Sequence, residues 1–412
     1  MKTQNIASIG TKILVLIWMG LIFMLTIYFQ NESDKIILAF LAYTIFLSLI
    51  LKTKIAINLE FVLLLTFGTV YYFIYITHNV YTEYLYMRLW IGAPLMYFIG
   101  NAFISDKTHK YFKWVLLVFA FGLFFYQTAN MLDYLIHPTT EAISVTYDFW
   151  TGNAIGSPLS GVYFAAIGSL LAYVVFSTWT KHNLLLKIFY FICFLISIYF
   201  CILLSRRTFF IIIGLVFLIL LPYCIFHNKR SFLKGVLFFI LTAILAIVVI
   251  RYDWLGVKTA IISTNWYLRI QRTLELSLFS DPRFSVYPLI RDQIYDYTFG
   301  GYLMDLGGLT FAHNLWLDIL YSTGLYSFFI FVGYTLLTLT TVIRTVLSKH
   351  INHDIKILIL CLYIGMSLQF MVEPIIEGVP YVFMLFCLIN GATYRYLVVK
   401  NNIKSIETDL SI

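Results

Sequence analysis

The sequence predicts an all-α integral membrane protein from its composition, the length of its apolar runs and the distribution of its cations. Of the 412 residues, 61% are hydrophobic and 12% are charged, whereas soluble domains carry roughly 25% charged residues. Apolar runs long enough to cross about 30 Å of hydrocarbon recur along the whole chain. Because lipid requires backbone polar groups to be bonded internally, we expect these runs to be helices. The short alternating segments of a membrane β-barrel are not seen.

About twelve apolar runs are predicted to cross the membrane, within a single polytopic domain over residues 1–412. The shortest is Ile36–Leu51, and a long loop over residues 251–312 separates the ninth run from the tenth. The runs are Lys12–Phe29, Ile36–Leu51, Ala56–Thr77, Met87–Ile104, Trp114–Leu132, Pro158–Trp179, Leu184–Leu204, Thr208–Phe226, Phe232–Ile250, Leu315–Val342, Ile355–Val372 and Pro380–Val398.

The lysines and arginines orient these predicted helices. With twelve spans, eighteen of the 28 cations fall on the side that carries both termini, and six lie in the loop 251–312. The opposite side carries only Lys35, Arg88, Arg206 and Arg207. The positive-inside rule, which applies to short loops, therefore predicts cytoplasmic termini and an outer position for the long loop. The net charge of +8 reflects this topology and does not indicate a nucleic-acid partner.

The cysteines do not predict a metal site or a disulfide. All five lie inside apolar runs, and none forms a CxxC pair or has a histidine at ligand spacing. The pattern is typical of small packing residues in helices. No cofactor is expected from the sequence.

Two adjacent arginines lie in a short turn on the predicted outer side. Arg206 and Arg207 separate the runs Leu184–Leu204 and Thr208–Phe226. Arginine at membrane depth is costly and is usually retained for a ligand, and its planar fork of donors matches phosphate geometry. The pair therefore predicts a site for a lipid-linked phosphate. Alternatively, both side chains extend to lipid headgroups, and Arg88 is open to the same two interpretations.

Two outer segments are long enough to carry chemistry. Residues 251–312 hold six cations and six acids, which predicts that some arginines, such as Arg283, pair with acids. Within this loop, Leu268–Phe279 predicts an amphipathic helix and the glycine-rich stretch Phe299–Leu309 an irregular turn region. The other segment, Asp133–Ser157, is either a lid or sugar-contacting surface, or a passive connector.

Four short motifs follow one another along the second half of the chain. They are Leu204–Thr208 (Leu-Ser-Arg-Arg-Thr), Arg283–Tyr287 (Arg-Phe-Ser-Val-Tyr), Thr298–Gly301 (Thr-Phe-Gly-Gly) and Phe311–Gly324, which begins Phe-Ala-His-Asn-Leu. In order and spacing they resemble the Ser/Thr-Arg, Arg-x-x-x-aromatic, Phe-Gly-x-Gly and His-Asn-x-x-Leu…Gly motifs of the bacterial O-antigen ligase and O-antigen polymerase (Wzy) superfamily. The likeness of motifs covers roughly residues 200–330.

This resemblance implies an inverting, metal-independent glycosyl transfer from an undecaprenyl-pyrophosphate-linked glycan. An acceptor hydroxyl must lose a proton as it attacks the anomeric carbon, and His313 is the expected general base. The positive end of a helix dipole beside His313 favours its neutral form. Cations would stabilise the departing pyrophosphate, and a helix N-terminus provides an anion site. The expected pyrophosphate ligands are Arg206 or Arg207, Arg283, Arg269 and Arg88, with Arg291 and Asn314 as further site candidates. Alternatively, His313 only caps its helix.

Three functions are compatible with these residues. The first is a Wzy-type polymerase of the bacterial inner membrane, whose periplasmic site joins repeat units of O-antigen or a similar surface polysaccharide; a chain-length regulator protein would be a fitting partner. The second is an O-antigen ligase, which would transfer the glycan to lipid A-core. The third is a polysaccharide flippase or another transporter. Transporters usually have internal repeats and interrupted helices in matching halves, and the sequence indicates neither.

The predicted topology can be tested with reporter fusions. Fusions after Asp148 and Phe284 should report the periplasm, and fusions after Lys110, Lys229 and Lys349 the cytoplasm, because the lysine-rich segments are retained inside. Paired alkaline phosphatase and fluorescent-protein reporters measure both outcomes. A cytoplasmic signal at Phe284 would invert the expected site and contradict the proposed chemistry.

Overall fold

The computed structural model describes residues 2–53, 56–78, 88–136, 145–177, 181–253, 264–276 and 282–409, together with residues 259 and 262. The helices, in chain order, are α1 (Lys2–Leu51), α2 (Leu59–Thr77), α3 (Ala93–Phe103), α4 (Phe112–Ile136), α5 (Ser157–Phe176), α6 (Lys181–Leu203), α7 (Thr208–His227), α8 (Lys229–Tyr252), α9 (Asn265–Leu276), α10 (Pro282–Gln293), α11 (Leu315–Leu347), α12 (His353–Phe370), α13 (Ile375–Gly378) and α14 (Pro380–Asp409). A π-helical turn, Arg88–Gly92, precedes α3, and a 3-10 turn, His109–Tyr111, precedes α4. Two antiparallel strands, β1 (Val145–Tyr147) and β2 (Ala154–Gly156), lie between α4 and α5.

Nine helical stretches of the described chain are long and apolar enough to cross a membrane. They coincide with nine of the twelve predicted runs, so the chain is an α-helical membrane protein. The predicted runs Ile36–Leu51 and Phe232–Ile250 contain the shorter apolar helices Lys35–Leu51 and Phe232–Thr242. The predicted run Met87–Ile104 is divided between the π-helical turn and α3, which has 11 residues. A total of twelve spans therefore stays a prediction.

Helix α1 contains two of the predicted runs, and these pack against each other. The Trp18 indole donates to Thr44 Oγ1 at 3.0 Å, and the Tyr43 hydroxyl donates to the Leu14 carbonyl at 2.8 Å. Trp18 and Thr44 are 26 positions apart, which in a straight helix corresponds to about 39 Å. The chain must therefore reverse direction within α1, as two separate spans require.

The contacts of the described residues divide the chain into two compact units. The first unit comprises residues 1–126, 288–352 and 374–412, and the second comprises residues 127–287 and 353–373. A single polytopic domain over the whole chain stays a prediction.

In the first unit, α3 and α14 cross at two glycines. A Cβ atom on Gly100 would overlap the carbonyl oxygen of Leu388, and a Cβ atom on Gly391 would overlap that of Tyr97. Membrane helices use small residues at such crossings because they let two backbones approach closely. The pair of glycines therefore sets the separation of these two helices.

The first unit also contains a buried carboxylate at the start of α2. Glu60 is 4% exposed and accepts hydrogen bonds from the Tyr97 hydroxyl at 2.9 Å and from the Thr341 hydroxyl. The Asn58 amide in turn donates to the Tyr97 hydroxyl at 2.7 Å. These bonds compensate for the cost of removing a carboxylate from water, and they join α2, α3 and α11.

The second unit is built around α5, most of whose side chains are buried. Helices α6, α7, α8 and α12 pack against it. Glycines again permit close contacts, since a Cβ atom on Gly168 would overlap the Phe209 ring and one on Gly365 the Ser169 side chain. Helix α9 begins three residues before the predicted amphipathic helix Leu268–Phe279, whose last residues lie outside the described part of the chain.

The segment Asp133–Ser157 contains a small β-hairpin rather than irregular chain. Buried Asp148 closes its turn by accepting the backbone N–H of Trp150 at 2.9 Å and that of Thr151 at 2.6 Å. The Trp150 side chain at the tip is exposed. Residues 137–144 lie outside the described part, and the choice between a sugar-contacting surface and a connector stays open.

The crossing of α3 and α14 gives a stability prediction. Gly100→Ala and Gly391→Ala should each lower the free energy of unfolding by about 1–3 kcal/mol, the usual cost of overpacking. Gly20→Ala in α1 is the matched control, because a Cβ atom at Gly20 meets nothing within 4 Å and alanine favours a helix more than glycine. Thermal unfolding of the purified protein in detergent measures the difference. An equal midpoint for all three variants would contradict the close crossing.

Candidate functional site

Asn314 determines where α11 begins. Its side-chain oxygen accepts the backbone N–H of Trp316 at 3.1 Å and that of Leu317 at 3.3 Å, which is the geometry of an N-cap. His313 therefore directly precedes the helix, as the sequence predicts. The N-cap of α11 is Asn314, and not His313 as the alternative interpretation of His313 has it.

Asp318, in the first turn of α11, ties the preceding loop to the helix. Its carboxylate Oδ1 accepts the backbone N–H of Ala312 at 2.7 Å, and the residue is 2% exposed. Its second oxygen, Oδ2, is buried with no hydrogen-bond partner among the described residues. Sequence reasoning did not single out Asp318, although an acid in the first turn of a membrane helix is an available signal.

The backbone of His313 adopts a left-handed conformation, with φ 54°. Such a conformation costs free energy in a residue other than glycine, and it persists where surrounding contacts hold it. Here Ala312 is bonded to Asp318 on one side, and Asn314 caps α11 on the other. The backbone of half-buried His313 is thus held at the positive end of the helix dipole.

Helix α11 is interrupted at Gly324, where φ is 77° and ψ is −168°. The sequence predicts an uninterrupted run over Leu315–Val342, and on this point it is wrong. The break leaves backbone carbonyls that the loop before α11 bonds: Gly301 N–H donates to Ser322 O at 2.9 Å and Tyr302 N–H to Tyr321 O at 3.2 Å.

The motif Thr298–Gly301 therefore packs against the far end of the motif Phe311–Gly324. Leu325 N–H donates back to the Thr298 carbonyl at 2.9 Å. A Cβ atom on Gly300 or on Gly324 would overlap the opposing backbone, so both positions require glycine. Two segments on which the family resemblance rests are in direct contact.

A carboxylate beside this break accepts hydrogen bonds from two tyrosines. Glu377 Oε1 accepts the hydroxyls of Tyr302 and, at 3.4 Å, of Tyr71. The hydroxyl of Ser322, on α11, donates to Tyr71 Oη at 3.3 Å, and the Tyr321 hydroxyl donates to the Tyr302 carbonyl at 3.2 Å. The sequence does not single out these residues, which come from α2, the loop before α11, α11 itself and α13.

A second histidine, His78, lies at the C-terminal end of α2 against the same loop. Its Nδ1 is 2.8 Å from the Ile74 carbonyl. A Cβ atom on Gly301 would overlap the His78 ring. This histidine was not a sequence candidate, because the residues that follow it carry no motif.

In the second unit, Arg206 and Arg207 form the turn into α7. The turn is tight, with Ser205 at φ 55° and Arg206 N–H bonded to Cys201 O at 2.8 Å. Arg206 is 5% exposed, whereas Arg207, at the N-cap position of α7, is half-buried. The two predicted ligands thus have different environments at one helix N-terminus, a position suited to anions.

Arg206 is also in contact with α5 and α9. The Trp266 indole of α9 donates to the Arg206 carbonyl at 3.4 Å, and the Arg206 side chain passes Gly161 of α5, where a larger residue would crowd it. Trp266 further packs against Phe210, with ring centroids 5.2 Å apart. Trp266, near the start of α9, therefore contacts the turn that carries the two arginines.

The other predicted arginines are less defined. Arg88 begins the π-helical turn, Arg269 lies in α9 and Arg283 in the first turn of α10, but their side chains are outside the described part. Arg291 is exposed and bonds its neighbour Asp292 at 2.8 Å, and this charged partner raises the pKa of Arg291. An exposed pair of this kind contributes little to stability.

The candidate residues fall into two groups. His313 and Asn314 belong to the first unit, and Arg206 and Arg207 to the second. Among the described residues, no group of three or more histidine, cysteine or acidic side chains could hold a metal ion.

Comparison with known proteins adds no assignment. The chain matches no protein-family model and no curated protein sequence.

Proposed function

We propose that this membrane protein is a glycosyltransferase that polymerises undecaprenyl-pyrophosphate-linked repeat units into O-antigen or a similar surface polysaccharide, at the periplasmic face of a bacterial inner membrane. The observation that carries the proposal is the strained turn at His313, held at the head of an apolar helix by the Ala312–Asp318 bond and the Asn314 cap. Strain of this kind concentrates at functional sites.

The proposed reaction is a single displacement with inversion. The acceptor hydroxyl oxygen attacks the anomeric carbon of the donor sugar, and a new glycosidic bond forms. The bond from that carbon to the undecaprenyl pyrophosphate breaks, and the pyrophosphate leaves with the bonding electron pair. His313 accepts the hydroxyl proton, a task for which a neutral imidazole is suited.

We assign the arginines of the second unit to binding the pyrophosphate of the donor. The departing pyrophosphate gains negative charge in the transition state, and preorganised cations lower the barrier for its departure. Arg206 and Arg207 offer planar donors at the start of α7, where the helix dipole adds to their charge. Arg283 and Arg269 come from the helices that follow in the chain.

The arginine assignment predicts loss of polymer. Arg206→Ala and Arg283→Ala should each reduce polymer formation by roughly 10²–10³-fold, and lysine should restore only part, because it lacks bidentate geometry. Arg207→Ala should be milder, since Arg207 is the more exposed of the pair. Polysaccharide length on gels, from a deletion strain carrying each variant, gives the readout. Arg272→Ala, which changes an exposed arginine of α9, is the control. If polymer formation is near normal in both the Arg206→Ala and the Arg283→Ala variants, these arginines bind lipid headgroups and not the pyrophosphate.

The His313 assignment predicts a separate defect. His313→Ala should slow turnover by roughly 10²–10⁴-fold, the usual worth of a general base, while the lipid-linked donor still binds. His313→Asn is the sharper variant, because asparagine tolerates the left-handed backbone found here. It should fold and insert normally yet be inactive in a polymerisation assay with purified protein.

An active His313→Asn enzyme would exclude His313 as the base. The next candidate for the base would then be His78, whose ring packs against Gly301 in the loop before α11. His78→Ala should therefore be measured alongside, with membrane content quantified for every variant.

A further inference from the structure

Four polar side chains are joined by hydrogen bonds in the first unit. We call them the Glu377 cluster: Glu377, Tyr302, Tyr71 and Ser322. All four residues belong to the first unit. The hydroxyls of Tyr302 and Tyr71 converge on one carboxylate oxygen, and Ser322 extends the chain of bonds. Glu377 lies between the predicted runs Ile355–Val372 and Pro380–Val398, on the predicted outer side.

The cluster is open on one side. Tyr71 and Ser322 are buried, whereas Glu377 and Tyr302 are half-buried, so part of each of these two residues lies at the surface of the unit. An ionised carboxylate only accepts hydrogen bonds, whereas a tyrosine hydroxyl donates and accepts. This combination suits a neutral ligand with several hydroxyl groups and repels an anion. A sugar is such a ligand, and a pyrophosphate is not.

Asp318 provides a second, independent observation. It lies three residues before Tyr321 and four before Ser322, so the three side chains share one face of α11. The Tyr321 ring packs edge-on against the Tyr302 ring, with centroids 5.0 Å apart, and the Asp318 and Glu377 carboxylates interact electrostatically. Oδ2 of Asp318 is buried with no hydrogen-bond partner among the described residues.

The backbone around the cluster is held in an uncommon conformation. Tyr302 has φ 60°, and it follows two glycines that also have positive φ. The hydrogen bonds from Gly301 and Tyr302 into the break of α11 fix this conformation. The Tyr302 hydroxyl is thereby aimed at Glu377 by the same contacts that join the two sequence motifs.

The position of the cluster indicates which sugar it would take. Asp318 bonds the residue before His313, so the cluster and the proposed base lie at the same end of α11. A general base must lie within reach of the hydroxyl that it deprotonates. A sugar held here would be the one that carries the attacking hydroxyl.

We propose that Glu377 and Tyr302, supported by Tyr71 and Asp318, form a binding site for the hydroxyl groups of the acceptor sugar. This inference rests on the proposed function for the identity of the acceptor, but the site itself is defined by its own contacts. Glu377 and Tyr302 would orient the acceptor hydroxyl toward His313, which takes the proton.

The test measures glycan binding without the pyrophosphate. The probe is the repeat-unit oligosaccharide released by mild acid from the lipid-linked pool of the producing strain. Its binding to the full-length protein in detergent is followed by calorimetry. Glu377→Gln and Tyr302→Phe should each weaken binding roughly tenfold to a hundredfold, the usual loss of a hydrogen bond to a charged group.

Matched variants separate binding from folding. Tyr302→Phe removes one oxygen and keeps the ring that packs on Tyr321, and Tyr326→Phe removes the same oxygen from an exposed tyrosine of α11. Tyr326→Phe should bind the oligosaccharide like the unaltered protein. Unfolding midpoints show whether each variant is intact, and in the polymerisation assay Glu377→Gln should raise the acceptor KM more than it lowers kcat.

The outcomes distinguish this inference from the proposed function. If polymer forms but Glu377→Gln and Tyr302→Phe bind the oligosaccharide normally, the acceptor site is overturned and the polymerase survives. If the oligosaccharide binds and both variants lose it, yet the purified protein makes no polymer, the site survives and the polymerase does not. If the oligosaccharide does not bind to the unaltered protein, the proposed acceptor site is overturned.

Discussion

The break in α11 at Gly324 is the constraint on which the first unit depends. In an apolar environment, a carbonyl released from a helix must find another donor, because no water is there to bond it. The loop before α11 supplies donors from Gly301 and Tyr302. The loop is therefore bonded to the helix through its backbone, and these bonds position Tyr302 beside the break.

Glu60 and Asp318, two buried acids of this unit, differ in how their carboxylate oxygens are bonded. Glu60 accepts hydrogen bonds from Tyr97 and Thr341 and joins three helices, so its cost is compensated within the fold. Asp318 is equally buried, but one of its oxygens has no partner among the described residues. A polar atom left in this state destabilises the fold unless something binds it.

Local patterns in the sequence predicted the apolar helices, the start of α11 after Asn314 and the irregular turn at the glycines. They could not predict which of those glycines meet, because the contact between Gly300 and Gly324 is tertiary. Tyr71 is one of 31 tyrosines, and its bond to Glu377 spans 306 positions, so neither residue carries a local signal. The apolar pattern of Leu315–Val342 also does not predict the break at Gly324. The carbonyls that the break releases accept hydrogen bonds from Gly301 and Tyr302, which lie outside that pattern.

Glycosyl transfer between two lipid-linked glycans makes two unlike demands on a protein. The donor brings an anion whose charge grows as it leaves, and the acceptor brings a neutral hydroxyl that must be held still and deprotonated. Arginines answer the first demand, whereas a carboxylate near the leaving group would oppose it. In the proposed reaction, Arg206 and Arg207 of the second unit would meet the first demand, and Glu377 and Asp318 of the first unit would meet the second.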